Sequence, residues 1–398
     1  MKAPIYLDNH ATTPMDPRVL EAMLPFFTEH FGNAASRTHP YGWRADEAVE
    51  TARKQVAGLI GAKAKEIVFT SGATESDNLA LKGVARARRD RGRHIVTSAL
   101  EHKAVLDSCR ALEKEGFEVT VVAPDQGGVV AAEQIEAALR DDTILVSLMW
   151  VNNEIGTVQP VREVGALCRA RGVPFHVDAV QGLSVLPFDV EAMNVDLASL
   201  SAHKMYGPKG VGALYVRRRP KIDVVPLIDG GGHERGLRSG TLNVPGIVGF
   251  GQACELAKAE RDLERERVGA LRDRLWTLLE AGVTGIVRHG RAPQHPGNLS
   301  VGLPHVDAES LLLATNREVA LSSGSACTSA TLEPSHVLRA ISVPHDLARS
   351  SVRFGVGRMN TEADIERAAQ VIIAEAERLR EKSPTWRAAQ QRSEARAR

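Results

Sequence analysis

What this chain of 398 residues lacks narrows the field first. Its four cysteines, Cys109, Cys168, Cys254 and Cys327, stand apart with no CxxC-type pair. That spacing indicates neither a disulfide framework nor a structural zinc site, and a reducing, cytoplasmic setting is the expectation. Lysine and arginine total 50 against 49 aspartates and glutamates, a formal net charge of +1. No global field therefore draws the chain to nucleic acid or to a membrane surface. No apolar run approaches the roughly 18 residues of a spanning helix, and the opening MKAPIYLDNHATTP has no apolar signal-peptide core. A GxxxxGK[ST] phosphate loop is absent. The glycine cluster 230–236, GGGHERG, has Arg235 where a dinucleotide loop needs its third glycine, and no βαβ unit surrounds it. Internal repeats are missing too.

What is present is a chain with 43% hydrophobic residues, enough for a large core and two or three domains at roughly 150 residues each. Extended segments at 67–69, 94–98, 117–122, 143–150 and 174–178 alternate with helical patterns near 75–83, 103–115, 131–140 and 161–171. This rhythm predicts a mostly parallel central sheet with helices on both faces, an α/β fold. Asp16 and Pro17 start a helix that continues to Phe27. Beyond Pro245 a long charged helix carries Leu256, Leu263, Leu271, Leu275 and Leu278 on one stripe. The expected division is a large domain over 15–257 and a smaller α/β domain built from 1–14 and 258–398. The basic tail 383–398 is expected to fray.

Two positions in this pattern suggest chemistry. Lys204 lies between an apolar strand and the tight turn Gly207-Pro208-Lys209-Gly210, where a sheet opens onto a cleft. Asp178 ends the preceding strand, with Gln181 three residues on. Pyridoxal phosphate requires such a pair: a lysine to link to its aldehyde carbon and an aspartate to keep its ring nitrogen protonated. Thr74, His102, Asn153, Asp178 and Lys204 would all fall beyond strand carboxyl ends, where ligands bind in such sheets. The small residues Ser71-Gly72-Ala73-Thr74 precede a helix whose free N–H groups suit a phosphate.

The motifs 6–14 YLDNHATTP, 69–78 FTSGATESDN, 101–107 EHKAVLD, 152–156 NNEIG, 176–181 HVDAVQ, 201–210 SAHKMYGPKG, 230–241 GGGHERGLRSGT, 322–340 SSGSACTSATLEPSHVLRA and 352–358 VRFGVGR run in one order along the chain. In this they resemble the group I cysteine desulfurases of the IscS/NifS type, in the class V aminotransferase family. The resemblance implies a fold-type-I, pyridoxal 5'-phosphate-dependent homodimer acting on L-cysteine. It implies that Lys204 carries the cofactor, Asp178 pairs with its ring nitrogen, Gln181 bonds the ring hydroxyl and His102 stacks on the ring. Ala73, Thr74, Ser201 and His203 would hold the phosphate, joined by Thr241 from the partner subunit. Asn153 and Arg353 would receive the substrate carboxylate. Cys327 would be the nucleophile that takes the sulfur and passes it to an iron–sulfur scaffold or sulfur-carrier protein. No metal is required, Cys327 being at most a transient iron–sulfur ligand.

Two departures from the family pattern stand out. Residue 10 is a histidine where many relatives have a small or aromatic residue, and 32–36, GNAAS, lacks a proline often found there. The tail after Trp386 differs from the scaffold-docking end of housekeeping members, which leaves the acceptor open. So do the rival activities on the same scaffold, selenocysteine lyase and aminotransferase, and a non-catalytic docking platform for sulfur carriers.

Overall fold

The computed structural model describes residues 3–323 and 335–397. Short apolar segments bounded by glycine or polar turns form its strands. Seven of them make one sheet in the order Ile67–Thr70, Gly212–Val216, Leu197–Ser201, Phe175–Asp178, Thr143–Ser147, His94–Ser98, Glu118–Val122. Gly212–Val216 runs antiparallel to both neighbours, and the other pairings are parallel. Residues of Glu118–Val122, at the sheet edge, reach solvent, whereas the six other strands are buried throughout. Burial on both faces is why those strands read as near-continuous apolar runs.

Helices Ala73–Ala87 and Lys103–Lys114 pack on one face, sharing a core with Val68, Ile95 and Leu145. Helices Pro40–Leu59 and Val161–Arg171 pack on the other, against Ile67, Phe69, Val96 and Val146. The neighbouring residues Ile95 and Val96 thus enter opposite cores, as strand alternation requires. The carboxyl ends of the parallel strands, at Ser98, Ser147, Asp178 and Ser201, share one rim.

A separate core lies beyond the sheet. It is built on the antiparallel strands Val287–Arg288, Asn298–Gly302 and Ser351–Gly355, with Asn298–Gly302 central. Leu7 from the N-terminal arm is part of it, beside Ile5–Tyr6, which pairs with Val319–Ala320. Helix Val244–Gly282, about 58 Å long at 1.5 Å per residue, serves both cores. Phe250, Cys254 and Ala257 enter the first, and Val268, Leu271, Leu275 and Leu279 the second.

Two sequence expectations need correction. Leu263 is not on the buried stripe but 73% exposed. The helix is there crossing between cores, and its inward face is polar: Glu260 pairs with Arg18 and Glu264 with Arg358. The first helix stops at Met23 and a short second one, Pro25–Thr28, follows, because Pro25 has no N–H to continue the ladder. The tail forms a helix, Pro384–Ala397, with Trp386 beside His305 and under the Arg380 guanidinium. Proline in its first turn and several Ala, Arg and Gln residues favour that outcome.

Segment 230–241 is held by a buried ion pair. Glu234 takes both Arg53 nitrogens, at 2.6 and 2.7 Å, and the Phe69 N–H at 2.7 Å. Removing the carboxylate leaves the buried guanidinium only Glu50, at its exposed edge, and the Ile67 carbonyl. Glu234→Ala is expected to cost about 3–5 kcal/mol of folding stability in denaturant titration; a loss under about 1 kcal/mol would show that the pair is not structural.

Candidate active site

The strand rim opens into a cleft of about 560 Å³. It brings together Ala73, Thr74, His102, Asn153, Asp178, Gln181, Ser201, His203, Lys204 and Arg353, ten of the residues singled out in the sequence. Thr241 is not among its walls and is exposed to solvent. Cys327 lies outside the described residues. The three described cysteines are buried, and none lines the cleft. Burial pushes the Cys109 and Cys168 thiols up to about 12, so neither is a ready thiolate.

Lys204 closes a single 3₁₀ turn, Ala202–Lys204, directly after strand Leu197–Ser201. Its amine donates to the His10 carbonyl. Asp178, 6% exposed, ends the neighbouring strand, and one of its oxygens accepts from the Val180 N–H at 3.1 Å. Burial raises its pKa, opposed by the nearby His102 and Lys204. A cation placed against it would recover that cost.

His102 caps helix Lys103–Lys114, its Nδ1 accepting from the Ala104 N–H at 3.2 Å. Burial lowers its pKa, with Asp178 pulling the other way. The neutral ring therefore carries its proton on Nε2. Burial likewise lowers His203 to about 4, and its Nδ1 meets the Thr12 hydroxyl at 3.1 Å. Helix Ala73–Ala87 starts at Gly72 without a side-chain cap. Gly72 has φ of 151°, a conformation that L side chains rarely adopt, and a Cβ there would meet nothing within 4 Å. This helix start is open to an anion. Glu75 in its first turn is occupied by Arg238 at 2.8 Å, which ties segment 230–241 to this end of the cleft.

Arg353 is 1% exposed. Its Nη1 donates to the Asn153 carbonyl and its Nη2 to Asp8, both at 2.7 Å, while Nε is buried with no partner among the described residues. The cleft thus offers an amine, a buried carboxylate, an uncharged imidazole, an anion-ready helix start and a guanidinium. Such a set can hold a phosphorylated ring with a cationic nitrogen and orient an amino-acid carboxylate.

The chain and its fold have known counterparts. The class-V aminotransferase family model matches residues 5–368. This chain belongs to the class-V aminotransferase family. It is 60% identical over 387 residues to the cysteine desulfurase IscS of Anaeromyxobacter dehalogenans, covering 97% of this chain and 96% of that one. With the IscS of an Escherichia coli O139:H28 strain it shares 54% over 392 residues, at the same coverage. A solved NifS-like protein superposes with a TM-score of 0.87 at 40% identity, over 94% of this chain and 99% of the other. SspA in complex with cysteine matches at 0.80 and 39%, over 89% and 99%. Among the described residues of this family member, no helix is long and apolar enough to cross a membrane.

Sequence reading gave the arm 5–14 no chemical role, yet the arm forms one wall of the cleft. His10, Ala11 and Thr12 line it, Asp8 holds Arg353, and Thr13 bonds the His203 carbonyl and the Tyr206 N–H. The available signal was a run of five polar side chains among Asp8–Thr13 with only Ala11 apolar. His336 and Glu154 were also missed. Both line the cleft, Glu154 accepting from the Ser335 hydroxyl and His336 meeting the Glu101 carbonyl at 3.0 Å.

Glu101, behind His102, is fully buried and accepts from the Met149 N–H and the Ser98 hydroxyl. Burial pushes its pKa up to about 8, against 4.5 ordinarily. The folded chain keeps this proton where the unfolded chain has lost it. The group's contribution to stability is therefore complete below the ordinary value and is lost as pH rises through about 8. Glu101→Gln, which cannot ionise, should gain on wild type by on the order of 2–4 kcal/mol between about pH 5 and pH 8.5. A stability difference that does not change with pH would contradict this.

Proposed function

We propose that this chain is a pyridoxal-phosphate-dependent cysteine desulfurase, a homodimer of the cytoplasm that converts L-cysteine to L-alanine and leaves a persulfide on Cys327. One observation carries the reading: a single cleft holds Lys204 and Asp178 at adjacent strand ends, an uncapped helix start, and the Arg353 guanidinium. The names of the relatives, and the cysteine bound to SspA, support the substrate.

The residues present fit the cofactor. A buried carboxylate raised by desolvation suits a protonated ring nitrogen, and the uncapped helix start suits a phosphate. Lys204 would hold the group covalently, with Asp178 at the ring nitrogen, Gln181 at the ring hydroxyl and His102 against the ring face. Ala73, Thr74, Ser201 and His203 would hold the phosphate, with Thr241 of the partner subunit. When bound, the cofactor supplies an electron sink that makes the substrate Cα–H acidic and lets the C–S bond break.

The chain's own groups do the rest. Arg353, which lines the cleft with Asn153, orients the substrate carboxylate. Lys204 is the base for the Cα proton. His102, with Nδ1 committed to its helix, exchanges a proton with the substrate thiol through Nε2. The Cys327 thiolate attacks the substrate sulfur. An S–S bond forms and the Cβ–S bond breaks; the two sulfurs together give up the electron pair that the carbon gains, and the thiol proton is balanced by the new C–H of alanine. Both ends of the segment that carries Cys327 support this role. Ser322 pairs with the Arg353 backbone, and Ser335 bonds Glu154 on the cleft wall. The persulfide then passes to an iron–sulfur scaffold or sulfur-carrier protein.

The deciding experiment supplies L-cysteine and a thiol reductant to the purified protein and identifies the products. L-alanine and sulfide in equal amounts are expected, with borohydride fixing the cofactor to the Lys204 peptide. A keto acid product would indicate a transaminase; a colourless protein with no turnover would leave only a docking role.

A further inference from the structure

Gln181 and Lys204 meet at one arm residue, His10. Its carbonyl accepts from the Lys204 amine and from Gln181 Nε2, the latter at 3.0 Å. The other end of the Gln181 amide, Oε1, lies 3.3 Å from Nδ1 of the His10 ring. Because the amide nitrogen is committed to a carbonyl, the oxygen must face the ring, and it can only accept. This assigns the ring proton to Nδ1.

The rest of the surroundings agree. The ring is 4% exposed and stands edge-on to His295, with centroids 4.6 Å apart. Burial first, then His295, Arg353 and Lys204, hold its pKa well below the ordinary value, so it stays uncharged. Nε2 is then an acceptor, and among the described residues it has no partner. His10 lines a cavity of about 20 Å³ together with Gln181 and Lys204.

We propose that His10 is a positioning residue of the desulfurase site, its backbone carbonyl and its ring gripping the two ends of the Gln181 amide. The grip leaves Gln181 one amide N–H to offer the cleft and prevents the amide from flipping to present its oxygen. A flipped amide would set a lone pair against the ring hydroxyl of the cofactor. This inference rests on the cofactor reading above.

Three substitutions test it. Asparagine keeps a donor near the place of Nδ1; glutamine loses that donor but keeps a polar group near Nε2; leucine loses both. The readouts are the pH midpoint of the resting cofactor chromophore, taken without substrate, and kcat and KM for L-cysteine. His10→Asn should stay within about twofold of wild type. His10→Gln and His10→Leu should move the midpoint by about one unit and lower kcat about tenfold, with KM changing less, as loss of one oriented hydrogen bond implies. If the leucine variant does not fold, the asparagine and glutamine pair makes the same comparison. A wild-type midpoint and kcat in His10→Gln, or an asparagine variant as impaired as the glutamine one, would overturn the proposal. A wild type that binds the cofactor yet makes no L-alanine would instead reject the desulfurase reading, with the midpoints still testing His10.

Discussion

A guanidinium that is 1% exposed must be neutralised and hydrogen-bonded where it stands, and Arg353 imposes that requirement on three separate parts of the chain. Its own strand, Ser351–Gly355, belongs to the core beyond the sheet. Asp8 comes from the arm and the Asn153 carbonyl from the rim of the sheet. Through its backbone Arg353 also pairs with Ser322, just ahead of the segment that carries Cys327. Truncating Asp8 would leave Arg353 a buried charge without its carboxylate, at about 3–5 kcal/mol. The side chain that is to orient a substrate carboxylate is therefore also the one that seats the arm across the cleft.

The charges inside the cleft follow from burial more than from pairing. Asp178 and Glu101 are raised, and His10, His102 and His203 are lowered, with desolvation the largest cause in each case. Those three imidazoles are held uncharged, and Asp178 and Glu101 are reluctant to ionise. A cationic ring nitrogen beside Asp178 would reverse that balance locally, because an opposite charge at close range favours the ionised form. The cleft is built to receive a charged group.

Strand ends were the most legible part of the sequence. Asp178 and Lys204 lie where apolar runs stop at turn residues, and the sheet sets those two strands side by side. The arm was harder to read. Asp8, His10, Thr12 and Thr13 have no periodicity of their own, and only tertiary contacts with Arg353, Gln181 and His203 give them a place. Leu263 was misread because one helical stripe was extended across a seam where the helix leaves one core and has not yet entered the next. Thr241 came from family resemblance alone. In a single chain it lies exposed outside the cleft.

The central claim is that cleavage of the substrate C–S bond and capture of its sulfur are one event on Cys327. A single turnover without reductant tests it: L-alanine is quantified while peptide mass spectrometry locates the added sulfur. One sulfur on the Cys327 peptide for each L-alanine formed is the expected result, with none on the peptides of Cys109, Cys168 or Cys254. L-alanine without sulfur on Cys327, or sulfur on one of the buried cysteines, would contradict the account.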